Sequence, residues 1–545
     1  MGPRGNEEGN VPSEDVILRF CGAARTVTGS CFWLRMKTTS FLVDCGLFQG
    51  SKTLKELNYR PFPFDPRRID FVLLTHAHID HSGLLPRLTR EGFGGPVYMT
   101  RGTRDLLTFM LPDSGHIQET EVENLNLRKQ HWGRPGVEPI YTQVDAEQSL
   151  SQFEPVEYER WIEPHDGVRA RYWNAGHILG SASIELEIAT EAKEQRFLRL
   201  LFSGDIGPEH KLFHADPEAP ENFDYVIAES TYGGRQRTKA TPEHRRMLLA
   251  EEVKQALRAD GVLLIPVFAV ERTQELVADL IRLQEGGGIP RVPIFLDSPL
   301  AIRVTRVFEA HAGELEDLGG RSTLLKNSAI IPTQTPEESK RINTISGGAI
   351  ILAASGMCEA GRIRHHLRRW LWNERASVLL AGYQAQGTLG RLLADGATAV
   401  RIQGDEIQVK ARVRRTDLYS GHADGGELLD WISERRPIKR AVCLTHGEEA
   451  EVENLTDGLV ARGFARDRII APVLDDEIEL LAGEIGPRPR GAPRRLDPQV
   501  VGQPDWHNDF AKISLDLRAA LEQAADDRSR NIILRRLRRA LDSVE

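Results

Sequence analysis

Residues 71–83 read FVLLTHAHIDHSG. Phe71 to Leu74 is fully apolar and runs directly into His76, His78, Asp80 and His81. A short apolar run bounded by polar residues is the pattern of a buried strand. A strand that ends in titratable groups is where α/β proteins place chemistry, because loops beyond strand C-termini line the crevice. Three imidazoles and a carboxylate so close together would repel or compete for water without a partner. Neutral imidazole and carboxylate are ligands that borderline metals such as zinc prefer. Alternation at the strand end points His76 and His78 the same way, and Asp80 and His81 follow on the turn, within reach of a second ion.

Such a site needs further ligands, and later strand-end loops offer them: His177 in NAGHILGSA, Asp205 in FSGDIG and His446 in LTHGEEAE. A carboxylate has two oxygens, so Asp205 can bridge two ions. Divalent ions about 3.5–4 Å apart can activate a water and clamp both the attacking and the leaving oxygen. Asp44, in FLVDCG, is read as orienting a ligand imidazole; a turn residue at a strand end is the alternative.

The remaining pattern divides the chain. Its 545 residues suit two or three domains. Residues 1–13 are a polar, disordered tail, and 14–212 hold short strands and turns. From 213 to 411 five buried-type strands, DYVIAES, GVLLIPVFA, VPIFLDS, GAIILAAS and ASVLLAGY, alternate with helical stretches. That alternation predicts a parallel sheet covered by helices. Strand-and-loop segments return over 412–482, so the middle domain is inserted into the first. Residues 483–545 form a Pro-, Gly- and Arg-rich linker and a two-helix tail. Trp506, Phe510, Ile513, Leu517 and Leu521 mark one helix; Leu534, Leu537, Leu541 and Val544 mark the other, whose opposite face carries Arg535, Arg536, Arg538 and Arg539. The tail is too small to fold alone, so packing on the main body or on a second chain, as a homodimer, is expected.

Lys plus Arg is 70 against 79 for Asp plus Glu, a net charge of −9, which excludes a uniformly basic coat but not a local basic cleft. The five cysteines are scattered, the pattern of free thiols in a reducing cytoplasm. The polar start lacks a secretory apolar region. No apolar run is long enough to span a membrane.

LLTHAHIDHSG, NAGHILGSA and FSGDIG resemble motifs of the metallo-β-lactamase superfamily, and ESTYGGR, ASGMCEAGR, YSGHAD and LTHGEE resemble those of its β-CASP nucleases. The likeness is greatest to bacterial relatives of the endonuclease subunit of the cleavage and polyadenylation specificity factor. It covers about Val16 to Ala482 and omits the tail. The resemblance implies an αββα sandwich with an inserted parallel-sheet β-CASP domain. It implies two zinc ions per chain, one on His76, His78, His177 and Asp205, the other on Asp80, His81, Asp205 and His446. Glu229 matches the motif A acid, His422 motif B and His446 motif C. A motif C histidine goes with RNA-processing members, so single-stranded RNA is the expected substrate, with a DNA nuclease as the alternative.

On this reading water attacks the phosphorus in line, and His422, held by Glu229, protonates the leaving 3′-oxygen. Arg272, near a helix start, and Ser355 and Gly356, in a Gly-bounded turn into a helix, are candidate phosphate contacts; a salt bridge and tight packing are the alternatives. His365 and His366 are read as structural. A small-molecule metallohydrolase of the same superfamily is a competing reading, disfavoured because so large an inserted lobe suits a polymer. No KH-like extension is read at the N-terminal side, so RNA contacts are expected from the catalytic body or the tail; LYSGHAD departs from the 5′-exonuclease pattern, so endonucleolytic cleavage is favoured, with exonuclease activity allowed.

Overall fold

The computed structural model describes residues 16–130, 136–190, 197–237, 241–257, 260–316, 324–382, 384, 388–481, 487–497, 517 and 520–542. The expected tail at 1–13, the linker residues 498–500, and Trp506, Phe510, Ile513 and Val544 lie outside them.

Two mixed sheets form the first lobe. In one, eight strands run in the order Arg488–Arg490, Glu477–Leu480, Val16–Phe20, Phe32–Arg35, Ser40–Val43, Phe71–Leu73, Val97–Thr100 and Phe153–Val156. The other has seven, in the order Ile469–Ile470, Ile438–Thr445, Phe223–Glu229, Phe197–Phe202, Ala182–Ala189, Val168–Asn174 and Ile162–His165. Strand alternation explains why the sheets stack. Leu18, Phe20, Leu34, Phe41, Phe71 and Leu73 point inward from the first and meet Tyr172, Ile184, Leu186, Leu200 and Phe202 of the second. On the outside, Leu42 and Val72 pack under Leu85, Leu88, Leu106 and Leu107 of helices Leu85–Arg90 and Arg101–Gln130. Helices Gly425–Glu434 and Glu449–Ala461 cover the outer face of the second sheet through Leu428, Ile432, Leu455 and Leu459. The result is the αββα sandwich.

The inserted lobe is a parallel sheet ordered Ile330–Pro332, Ile294–Leu296, Ala349–Ala353, Val262–Pro266, Ala376–Leu380 and Arg412–Arg415. Its central strands Ala349–Ala353, Val262–Pro266 and Ala376–Leu380 are buried on both faces, as helical crossovers require. Leu263, Ile265 and Ile350 face the helices Pro242–Ala256, Arg272–Glu285 and Pro299–Ala310, within an apolar cluster continuous with the outer layer of the first lobe. Arg303 pairs with Asp113 at 2.7 Å and His311 with Asp105 at 2.8 Å across the same junction.

Three boundaries differ from expectation. DYVIAES, assigned above to the inserted sheet, is the strand Phe223–Glu229 of the first lobe, parallel to both Phe197–Phe202 and Ile438–Thr445. An apolar strand between two parallel partners looks the same in either lobe. The inserted sheet runs past 411 to Arg412–Arg415, an exposed edge strand whose charges mask it. The segment read as pure linker contains Arg488–Arg490, paired antiparallel with Glu477–Leu480. In the tail, the second helix spans Asp527–Asp542, and none of its described side chains is fully buried. No described helix is long and apolar enough to cross a membrane.

Candidate metal centre

The centre is built at one end of the facing sheets. Beyond Phe71–Leu73 the chain delivers His76, fully buried, and the short helix Ile79–Ser82 turns Asp80 and His81 back toward it. Asp44, just past Ser40–Val43, has φ +62°, a conformation that non-glycine residues rarely adopt. Its carboxylate accepts from Thr75 N at 2.9 Å, Ser30 Oγ at 3.1 Å and His81 Nδ1 at 2.7 Å. Asp44 thereby commits Nδ1 of His81 and turns Nε2 inward. His177 follows Val168–Asn174; Ser181 Oγ accepts from His177 N and Ile178 N at 3.0 and 3.1 Å, tightening the loop. Nδ1 of His177 donates to the Gly421 carbonyl at 2.6 Å, which leaves Nε2 as the lone-pair nitrogen. A Cβ on Gly421 would stand 3.0 Å from that imidazole, so glycine permits the close approach. Asp205 lies beyond Phe197–Phe202. His446, with φ +52°, lies beyond Ile438–Thr445, its Nδ1 3.1 Å from Thr231 Oγ1.

Seven side chains converge as two groups sharing Asp205. In the first, His78 Nδ1 is 3.2 Å from His76 Nε2 and 3.0 Å from His177 Nε2. Asp205 Oδ2 is 3.5 Å from His76 Nε2 and 3.6 Å from His177 Nε2. In the second, His81 Nε2 is 3.1 Å from His446 Nε2 and 3.2 Å from Asp205 Oδ1, and Asp80 Oδ2 is 3.6 Å from His446 Nε2. Donors bound at about 2.0–2.1 Å to one tetrahedral ion sit roughly 3.3 Å apart.

The electrostatics fit. Burial, with the neighbouring His76, pushes His78 down to about 3. Burial also lowers His76 and His177, so these imidazoles are neutral, the ligand form. Burial opposes charge on His81 and His446 too, but the Asp205 carboxylate outweighs it, aided by Asp44 at His81 and Asp80 at His446, and raises both. Asp205 itself is held well below its ordinary range despite burial, by His446 and His81. Its Oδ1 is buried, 3.2 Å from His81 Nε2 and 3.6 Å from His446 Nδ1, with no well-aligned hydrogen bond among the described residues. A buried carboxylate oxygen flanked by imidazole nitrogens is a donor set that fits a divalent cation.

Glu229 and His422 stand beside this centre. Glu229 ends the strand Phe223–Glu229, is buried, and accepts from Ile206 N. Nδ1 of His422 lies 3.2 Å from Glu229 Oε2 and 3.9 Å from Asp205 Oδ2. The Tyr232 ring meets the imidazole nearly edge-on at 5.8 Å, and Arg237 binds the His422 carbonyl. Among the described residues no hydrogen bond engages His422 Nε2. The site opens on a cleft of about 1810 Å³ between the lobes.

The three expected substrate contacts are placed differently. Arg272 lines the cleft, but its Nε donates to Tyr419 O at 2.9 Å and its guanidinium lies 5.2 Å over Phe268. Ser355 lines the cleft while its Oγ accepts from Glu359 N and Ala360 N at 3.1 and 3.2 Å. Gly356 packs against Phe268, whose ring a Cβ would meet at 2.5 Å; here glycine serves packing. Sequence reasoning missed Thr75, Ser181, Thr231 and the Gly421 carbonyl. Each is adjacent to, or a few residues from, a motif residue, and that adjacency was the one signal available.

Residues 24–235 match the metallo-beta-lactamase superfamily, 273–393 the Beta-Casp domain, and 406–472 the Zn-dependent metallo-hydrolase RNA specificity domain. A relative named Ribonuclease TTHA0252, from Thermus thermophilus, is 37% identical over 448 residues, covering 81% of this chain and 95% of the relative. Transcription termination factor FttA of Methanocaldococcus jannaschii is 30% identical over 475 residues, 84% of this chain and 71% of that protein. With the sandwich, the inserted parallel sheet and the shared-aspartate site in place, the chain belongs to the β-CASP family of the metallo-β-lactamase superfamily.

Proposed function

We propose that this chain is a zinc-dependent ribonuclease that hydrolyses phosphodiester bonds of single-stranded RNA, cutting within the strand. The observation that carries the reading is the juxtaposition of two ligand groups on one aspartate with a carboxylate–imidazole pair at their edge. His76, His78, His177 and Asp205 would hold one ion, and Asp80, His81, Asp205 and His446 the other. When bound, such ions supply Lewis-acid activation of water and neutralise charge on the phosphate.

The chain's own groups do the rest. Glu229 fixes the orientation of His422 through its Nδ1. His422 Nε2 then donates a proton to the departing 3′-oxygen. Asp44 and the Gly421 carbonyl hold two ligand imidazoles in the required tautomer. The cleft is larger than the roughly 300–1,000 Å³ that encloses a small ligand, which favours a polymer over a small-molecule ester. The ribonuclease named among the relatives, and the RNA specificity domain, favour RNA over DNA. Endonucleolytic cutting rests on the LYSGHAD context.

The test is cleavage of RNA labelled separately at its 5′ and 3′ ends, with single-stranded DNA of the same sequence alongside. Internal fragments from both labels, with DNA intact, are expected. Release of mononucleotides alone refutes the endonucleolytic mode; preferential DNA cleavage refutes the substrate. Metal analysis should find close to two zinc ions per chain.

A further inference from the structure

The residue before helix Arg272–Glu285 is Glu271, with φ +68° and ψ −69°. Arg272 N donates to Val270 O at 2.9 Å across it. That is a three-residue turn of the rare, strained hand, which glycine adopts freely and other residues do not. Such strain persists where the surroundings over-determine it, and it clusters at functional sites.

The Glu271 carboxylate is buried and faces out of the inserted lobe. Its Oε1 accepts from His214 Nε2 at 2.8 Å and lies 3.5 Å from Lys211 Nζ; its Oε2 accepts from Leu179 N at 3.3 Å. All three partners belong to the first lobe. Leu179 is two residues beyond His177, and Lys211 Nζ donates to the His177 carbonyl. Lys211 is itself buried. The loop that carries His177 is therefore gripped twice, at its own carbonyl and at the amide of Leu179, by groups that converge on one carboxylate of the other lobe.

We infer that Glu271 and Lys211 are positioning residues that hold His177 in metal-binding geometry and make that geometry depend on the seating of the inserted lobe. The inference rests on the metal reading above. It accounts for a charged residue at a backbone position that glycine fits better, and for a buried lysine outside the ligand set.

Glu271→Gly removes the carboxylate while relieving the turn, and metal affinity is read separately from the stability of the metal-free chain. Zinc affinity is measured by competition with a chromophoric chelator, cobalt coordination by its visible absorption, and stability by thermal unfolding of the metal-free chain. Glu271→Gly should lower the melting temperature of the metal-free chain, because Lys211 and His214 stay buried without their carboxylate, and among the folded molecules should lower affinity at the His177 group about 10–100-fold and alter the cobalt spectrum. Lys211→Met should lower affinity likewise, and His177→Ala should abolish binding at that group. Native affinity and an unchanged spectrum in both Glu271→Gly and Lys211→Met, with the wild type loading metal normally, overturn the latch and leave the metal reading intact. A wild-type chain that takes up no divalent ion overturns both.

Discussion

Asp205 and Asp297 are both buried aspartates just past strand C-termini, one in each lobe. Asp297 follows Ile294–Leu296, and each of its oxygens is occupied. Thr333 Oγ1 and Arg362 donate to Oδ1 at 2.5 and 2.7 Å; Ser339 Oγ and His366 Nε2 donate to Oδ2, both at 2.7 Å. Asp205 stands in a ring of imidazoles, and its Oδ1 makes no well-aligned hydrogen bond among the described residues, its nearest neighbour being His81 Nε2 at 3.2 Å. The fold supplies the same address twice. One carboxylate is a finished hub that ties loops together, and the other faces the imidazoles of the proposed metal shell. Satisfaction, more than burial, separates structure from chemistry here.

That contrast can be broken experimentally. Asp205→Ala should abolish RNA cleavage and reduce zinc content, with the metal-free fold retained; a variant that still cleaves ends the shared-aspartate reading. His422→Ala should lower the cleavage rate about 10²–10⁴-fold, the range for a lost general acid, at unchanged zinc content. Asp297→Ala should do the reverse. It leaves Arg362 and His366 buried without their carboxylate and should cost about 3–5 kcal/mol in denaturant unfolding, while zinc loading persists in the folded fraction. Asp44→Asn should weaken zinc binding about 10–100-fold in a chelator competition.

The smallest effect is in pH. Burial opposes ionisation of Asp297, but hydrogen bonds from His366, Thr333, Ser339 and Arg362 hold it below the ordinary carboxylate range. A depressed folded-state value gives stability that is present above the unfolded value near 4 and lost as pH falls below it. The stability gap between wild type and Asp297→Asn should therefore be constant from pH 8 to about 5 and narrow below about 4. A gap that widens on acidification contradicts the hub.

The histidine–aspartate cluster was legible because its residues sit in short motifs whose residue types have few other uses at that spacing. FVLLTHAHIDHSG announces both the strand and what it delivers. His366 was also read as structural, and its bond to Asp297 gives the reason. The substrate contacts were less legible. Gly356 looks like a phosphate-binding turn in sequence, but its neighbour Phe268 comes from a loop some ninety residues earlier, and such a packing partner leaves no local trace. Neither do the positive φ angles of Asp44, His446 and Glu271. The strand Arg412–Arg415 escaped because an exposed edge needs no apolar residues. Phe223–Glu229 was recognised as a strand and assigned to the wrong sheet, because register and neighbours are long-range properties.

His446 and His422 lie in the segment that returns after the inserted lobe, and the strand Ile438–Thr445 beside Phe223–Glu229 is what delivers His446. A nascent polypeptide on the ribosome therefore has no closed site to offer a transcript until synthesis has passed the whole inserted lobe and reached His446. A product halted within the inserted lobe carries six of the seven clustered side chains but lacks His446, and lacks His422 beside them, so abortive synthesis leaves the cluster open.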